Sequence, residues 1–269
     1  MTANQLSSNI ITNLRFYRRS RLLVLVGLFI VVVMLISMVT TAFTASKKFD
    51  TIQAFVVSAD WFLTLLAALL GLTTISHHVR TRSLKLVLTH PCTMETWVLS
   101  HFASVFVVIV GLFAVVAVVT LALFLLWNVP VQWGFLYVVM WALCSAMITF
   151  AFLLMLASFI HPIVAALLAL FFSPSTVQWL LTLLEVQIQT APAGYLRIVD
   201  NGLKVVLSAL YYTLPAYSPY SEQTQSLQNS YRVATGDTHA LFVTVVYTAV
   251  LCGLMFFLTT GILKRKRHI

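Results

Sequence analysis

A chain of 269 residues with 61% apolar and only 9% charged side chains cannot be an ordinary soluble domain, in which about a quarter of residues are charged. Its formal charge of +9 comes without the aromatic and basic interleaving of a nucleic-acid groove; cations placed beside apolar runs, facing anionic lipid, account for it. The signatures G-x-x-x-x-G-K-[ST], H-E-x-x-H and G-x-S-x-G are absent, so no catalytic site of its own is expected.

The composition predicts an all-α integral membrane protein. With 9 glycines, 7 prolines and no short alternating segments between turns, the spans are helices and not barrel strands. Residues 1–21 form an amphipathic elbow helix, with Leu6, Ile10, Leu14 and Tyr17 on one face and Ser7, Asn9, Thr12 and Asn13 opposite, suited to a membrane surface. Span one follows at 22–43, whose 22 residues reach about 33 Å and cover a bilayer core. Span two is 52–76. Asp60 lies inside it, and a carboxylate at membrane depth is costly unless it faces a cavity, a partner or water; Asp60 and Thr64 are candidates for a translocation pathway. A neighbouring Lys47 or Lys48 is the alternative partner for Asp60, and lone hydroxyls such as Thr64, Thr73 and Thr74 ordinarily bond back to their own helix.

Segment 77–98 is basic and broken. Arg80, Arg82 and Lys85 precede an apolar patch of Leu84, Leu86, Val87 and Leu88, and Pro91 then lacks an N–H and turns His90 away from helical dihedrals. Thr93 is placed to cap the next helix, with Glu95 in its first turn. The cations alone would serve as topology anchors. Leu84, Leu88 and Met94 beside them read as a patch displayed to a soluble partner. His77, His78 and His101 are expected as surface histidines at this basic edge.

Span three covers 99–127, Asn128-Val129-Pro130 makes a tight turn, and span four covers 134–160. His161-Pro162 turns the chain into span five at 163–184, which Pro174 should kink or break. Residues 185–238 are rich in Gln, Asn, Ser, Tyr and Pro and read as a large extracytoplasmic loop. Within it, 203–214 is apolar but too short to span, giving a re-entrant or interfacial helix ending before Pro215. Span six is 239–263. With both termini inside, eleven of the 16 Lys and Arg fall on the cytosolic side, as the positive-inside rule asks. Of the three cysteines, Cys92 falls in the broken segment while Cys144 and Cys252 lie in spans; no disulfide framework or zinc spacing follows from them.

Ser83-Leu84-Lys85-Leu86-Val87-Leu88-Thr89-His90-Pro91, followed by Trp97 and Phe102, resembles the coupling segment of the ABC-2-type permeases, the membrane subunits of ABC exporters. The resemblance departs from the family pattern before the leucines, where Arg80, Arg82 and Ser83 stand, and after the proline, where Thr93, Met94 and His101 stand. It implies six spans with an N-terminal elbow and a coupling helix between spans two and three. It also implies a second permease copy, identical or related, and two ATPase subunits docked on Arg80, Arg82, Leu84, Leu88, His90, Pro91, Met94 and Glu95. ATP and Mg would be bound by those partners, and no cofactor or metal by this chain. Tyr211, Tyr212 and Pro215 would cap the outer end, where an extracytoplasmic partner has room to bind. A membrane scaffold that transports nothing is the alternative reading. The membrane expected is a bacterial inner one.

Overall fold

The computed structural model describes residues 3–19, 28, 31–32, 35–36, 39, 48–80, 93–131, 133–171, 174–190, 195–213 and 238–266. Eight helices are delimited among them: α1 (Ala3–Arg19), α2 (Lys48–Arg80), α3 (Met94–Leu126), α4 (Phe135–Phe159), α5 (Pro162–Phe171), α6 (Pro174–Thr190), α7 (Tyr195–Thr213) and α8 (Thr238–Lys266). No strand occurs among the described residues. Three stretches, Met94–Leu126, Gly134–Phe159 and Phe242–Arg265, are long and apolar enough to cross a membrane. Their apolar surfaces, among them Val115, Val118, Leu126, Phe242, Val250 and Phe257, stand exposed on the isolated chain, as a lipid-facing surface does. This is the fold of an integral membrane protein.

Local chemistry sets the helix ends. Thr93 caps α3 by accepting from the Thr96 N–H at 3.3 Å, and Glu95 occupies the first turn, as the sequence predicts. At the other end of α3, Asn128 adopts a left-handed φ of 51°. The Val129 N–H then bonds the Phe124 carbonyl at 3.0 Å, and the Asn128 N–H bonds that of Leu125 at 3.2 Å. This pair of bonds closes the helix on a residue type that tolerates the left-handed region, and Pro130 follows. The next turn is equally legible: Pro162 opens α5, with His161 Nδ1 accepting the Ile163 N–H at 3.3 Å. Pro174 is the first residue of α6, a position where its missing N–H costs nothing, so the predicted fifth span is two separate helices.

The region expected as a large loop from 185 onward is helical further than its composition suggests. α6 runs to Thr190, and α7 begins at Tyr195, well before the predicted start at 203. The reason is spacing: Arg197, Asp200, Lys204 and Ser208 recur every three or four residues, so the polar residues form one stripe of a helix. Asp200, Lys204 and Ser208 are half-buried while Val199, Leu203 and Val206 are exposed. Lys204 reaches Glu185 of α6 at 2.8 Å, pairing the two helices through their polar sides.

The core is a bundle of α2, α3, α4 and α8. α4 is its centre, with 67% of its apolar window buried against 28% for α3 and 22% for α8. Ring contacts give the directions. Phe102 meets Phe150 at 5.3 Å and Phe256 at 5.9 Å, Phe124 meets Phe135 at 5.9 Å, and Glu95 of α3 pairs with Lys264 of α8. α4 and α8 are therefore each antiparallel to α3 and parallel to each other. The tightest approach is α2 on α4. A Cβ on Gly71 would lie 2.8 Å from the Phe150 carbonyl oxygen and 3.1 Å from Leu153 Cβ, and the buried Ala59, Ala67, Ala146 and Ala151 keep the two backbones close.

Candidate functional site

The polar chemistry of the bundle gathers at one end, where α1, the last turns of α2, the start of α3 and the end of α8 meet. Ser100 and Ser104 are one turn apart on α3 and fully buried. Their small side chains leave a groove that admits the backbone of α1. Asn13 Nδ2 donates to Ser100 Oγ at 3.3 Å, and Ser104 Oγ, bonded to the Ser100 carbonyl at 2.6 Å, also lies 3.5 Å from the Ile10 carbonyl. Tyr17 closes the contact. Its hydroxyl sits 3.4 Å from Thr74 Oγ1 of α2 and 3.4 Å from His101 Nδ1 of α3, so one phenol ties three helices together. Burial pushes the Tyr17 phenol up to about 12, opposed only in part by the Thr74 bond. The His101 ring stands edge-on to Trp97 with centroids 4.5 Å apart.

A few ångströms along α3, Glu95 pairs with Lys264 of α8. Hydrogen bonding and charge from Lys264 hold the Glu95 carboxyl below its ordinary value. At the far end of the bundle Lys48 Nζ lies 3.5 Å from the Trp127 carbonyl, where a cation suits the last turn of α3. The α1 end and the C-terminal end of α8 thus lie together, opposite the α2 start.

Two expectations about this end are corrected. His101 is 4% exposed and Met94 is 6% exposed: the first is enclosed by Tyr17 and Trp97 and is no surface histidine, and the second joins the main core cluster and is not displayed. The elbow is corrected in part, because Asn13, placed on its watery face, is half-buried against Ser100. Sequence reasoning did not assemble Asn13, Tyr17, Thr74, Ser100, His101 and Ser104. The available signal was the pair of serines flanking a histidine on one helical face, a groove with hydrogen-bonding walls.

Among the other residues singled out, Arg80 is the last residue of α2, and Asp60 and Thr64 lie within that helix. Thr64 is half-buried. Thr73 and Thr74 bond back to the Leu69 and Leu70 carbonyls at 2.7 and 2.6 Å, the ordinary fate of helix hydroxyls. Tyr211 and Tyr212 lie in the last turn of α7. Arg82, Leu84, Leu88, His90, Pro91 and Pro215 lie outside the described residues. Among the described residues no group of three or more His, Cys, Asp or Glu comes together.

No family model and no curated protein matches this sequence. The functional reading therefore rests on the residues themselves. What the α1 end offers is a set of interhelical hydrogen bonds that ties α1, α2 and α3 together, with the exposed Glu95–Lys264 pair joining α8 to α3.

Proposed function

We propose that the chain is the membrane subunit of an ABC-2-type exporter, a six-span permease with both termini cytosolic that works with a second permease copy and two separate ATPase subunits. The observation that carries this reading is the clasp of α1 across the ends of α2 and α3 through Tyr17, Thr74 and His101. Segment 77–98 joins those same two helices. A push on it from a docked ATPase would be delivered at once to α1, α2 and α3, and through Glu95 and Lys264 to α8. The function is to convert nucleotide-driven movement of that segment into rearrangement of the bundle, a two-state element biased by a partner. The end of α6 and the whole of α7, paired through Glu185 and Lys204, lie in the part of the chain that this topology places outside, with Tyr211, Tyr212 and Pro215 at the outer cap. Asp60 and Thr64 on α2 are the pathway candidates.

The burial of Met94 leaves Leu84 and Leu88, with Arg80 and Arg82, as the docking residues. The test is co-expression with a candidate ABC ATPase subunit, purification through a tag on this chain, and measurement of ATP turnover with and without vanadate. Stable co-purification with vanadate-sensitive turnover is expected, and Leu88→Glu is expected to lower both while leaving membrane insertion intact. Purification of the chain alone, with no ATPase bound, would overturn the permease reading in favour of a scaffold that transports nothing.

A further inference from the structure

The side of α1 turned away from the clasp has a chemistry of its own. Inward, Asn13 and Tyr17 are given to α2 and α3. Outward, Ile11, Thr12, Arg15, Phe16 and Arg19 are exposed. Ile11, Arg15 and Arg19 are spaced four residues apart and so form one row along the helix. Thr12 returns its hydroxyl to the Ser8 carbonyl at 2.9 Å, so its donor is met within the helix. The two ion pairs among the described residues lie elsewhere, Glu185 with Lys204 and Glu95 with Lys264, and the first acidic residue of the chain is Asp50. Arg15 and Arg19 therefore stand one turn apart with like charge, and α1 supplies no carboxylate to offset them.

The clasp sets the depth of this row. The Ile10 carbonyl meets Ser104, while Asn13, about a turn later, meets Ser100, a turn earlier, so α1 runs antiparallel to the start of α3. Met94–Leu126 is one of the stretches able to cross a membrane, and α1 thus lies along the first turns of a span. From Ile11 to Arg19 the row advances about 12 Å, toward the end where Glu95 and Lys264 stand. It passes from a half-exposed aliphatic side chain, 49% exposed, to two guanidiniums. That is the order of a phospholipid leaflet followed from its hydrocarbon to its headgroups. The partly exposed Phe16 flanks the two cations, adding apolar surface where the acyl chains begin.

We propose that the outward row of α1 binds an anionic phospholipid, its phosphate held between Arg15 and Arg19 and its acyl chain lying on Ile11, and that this lipid keeps α1 seated on α3. Guanidinium groups suit phosphate because their forked donors match its oxygens. Like charges one turn apart repel each other, and a phosphate between them removes that repulsion. A zwitterionic lipid brings its own cation and offers less. Each basic side chain near an anionic surface contributes enough to alter binding several-fold, and here two act on one headgroup. Because Asn13 and Tyr17 are on the opposite side of the same helix, lipid bound outside bears directly on the hydrogen bonds inside. The inference rests on the clasp and on the chain crossing a membrane, and not on the permease reading, since no ATPase enters it.

The test is native mass spectrometry of the purified full chain in detergent, titrated with dioleoyl phosphatidylglycerol or dioleoyl phosphatidylcholine, alongside thermal unfolding with each lipid. The natural chain is expected to hold phosphatidylglycerol at least about tenfold more tightly and to unfold at a higher temperature with it. In Arg15→Gln/Arg19→Gln that preference and that rise should both vanish. Both residues are exposed, so the midpoint without lipid should stay where it was. Arg265→Gln, which removes an exposed cation at the same end of the bundle, should leave the preference intact. Ile11→Ser should weaken both lipids alike. Equal retention of the two lipids by the natural chain, or a preference that survives the double arginine change, would overturn the proposal. So would an equal loss in Arg265→Gln, which would show diffuse surface charge and no site. Preference without any rise in midpoint would overturn the seating of α1, and unchanged binding in Ile11→Ser the place given to the acyl chain.

Discussion

Tyr17 shows how one side chain can organise an end of a membrane bundle. Its ring is buried and its hydroxyl reaches Thr74 and His101, so the neutral phenol suits the site and the phenolate does not. With the phenol pushed up to about 12 by burial against about 10 in the unfolded chain, the contribution of this contact is complete below pH about 10. It is lost as pH rises from there through the folded value, because the unfolded chain gives up its proton first. Ultraviolet difference titration of the natural protein against Tyr17→Phe should therefore remove one high-pH ionisation from the nine tyrosines. Loss of an ionisation near the ordinary value would show that the ring is not enclosed. Asn13 and Ser100 add a second bond to the same clasp, so Tyr17→Phe is expected to cost about 1 kcal/mol and to loosen α1 without releasing it.

Among the elements, α2 and α4 make the closest pair, and Gly71 sets their separation. A methyl group there would stand 2.8 Å from a backbone carbonyl oxygen, which cannot swing aside as a side chain could. Gly71→Ala is expected to push the two helices apart and to destabilise the bundle by about 1–3 kcal/mol, read as a lowered midpoint of thermal unfolding in detergent; an unchanged midpoint would show that the seam can relax. The helix ends were legible beforehand because their signals are local: Thr93 one residue before a helix, Asn128 before Val-Pro, and Pro174 after a serine each act within a single turn. α7 was legible only in part. Its polar residues carry loop-like composition, and it is their three- and four-residue spacing that makes a helix from Tyr195 onward. The clasp was not legible at all, since Tyr17 and His101 are 84 residues apart and a lone histidine at a basic edge carries no mark of what encloses it. Met94 fails for a related reason, because its burial in the main core cluster is a tertiary property that its neighbours in sequence do not signal.

At the scale of the whole molecule, Glu95 and Lys264 join α3 to α8 across 169 residues of chain. Lys264 holds the Glu95 carboxyl below its ordinary value, so the pair is intact above the ordinary carboxylate range and is lost as pH falls through the depressed folded value. Spin labels at Leu99 and Arg265, both exposed, should report one narrow distance at neutral pH and a broader distribution in acid. In Glu95→Gln the distribution should be broad throughout, and a narrow one there would show that the pair does not hold the two ends. Because both partners are exposed, added salt should weaken the link as acid does. The central place of α4 bears on the order in which the protein is built. The ribosome makes α4 about 80 residues before it reaches α8, yet Trp141, Cys144 and Ile148 are covered by side chains of α8. During synthesis that face has only lipid or a chaperone to lean on, and the nascent bundle stays open on one side until its last described helix arrives to close it.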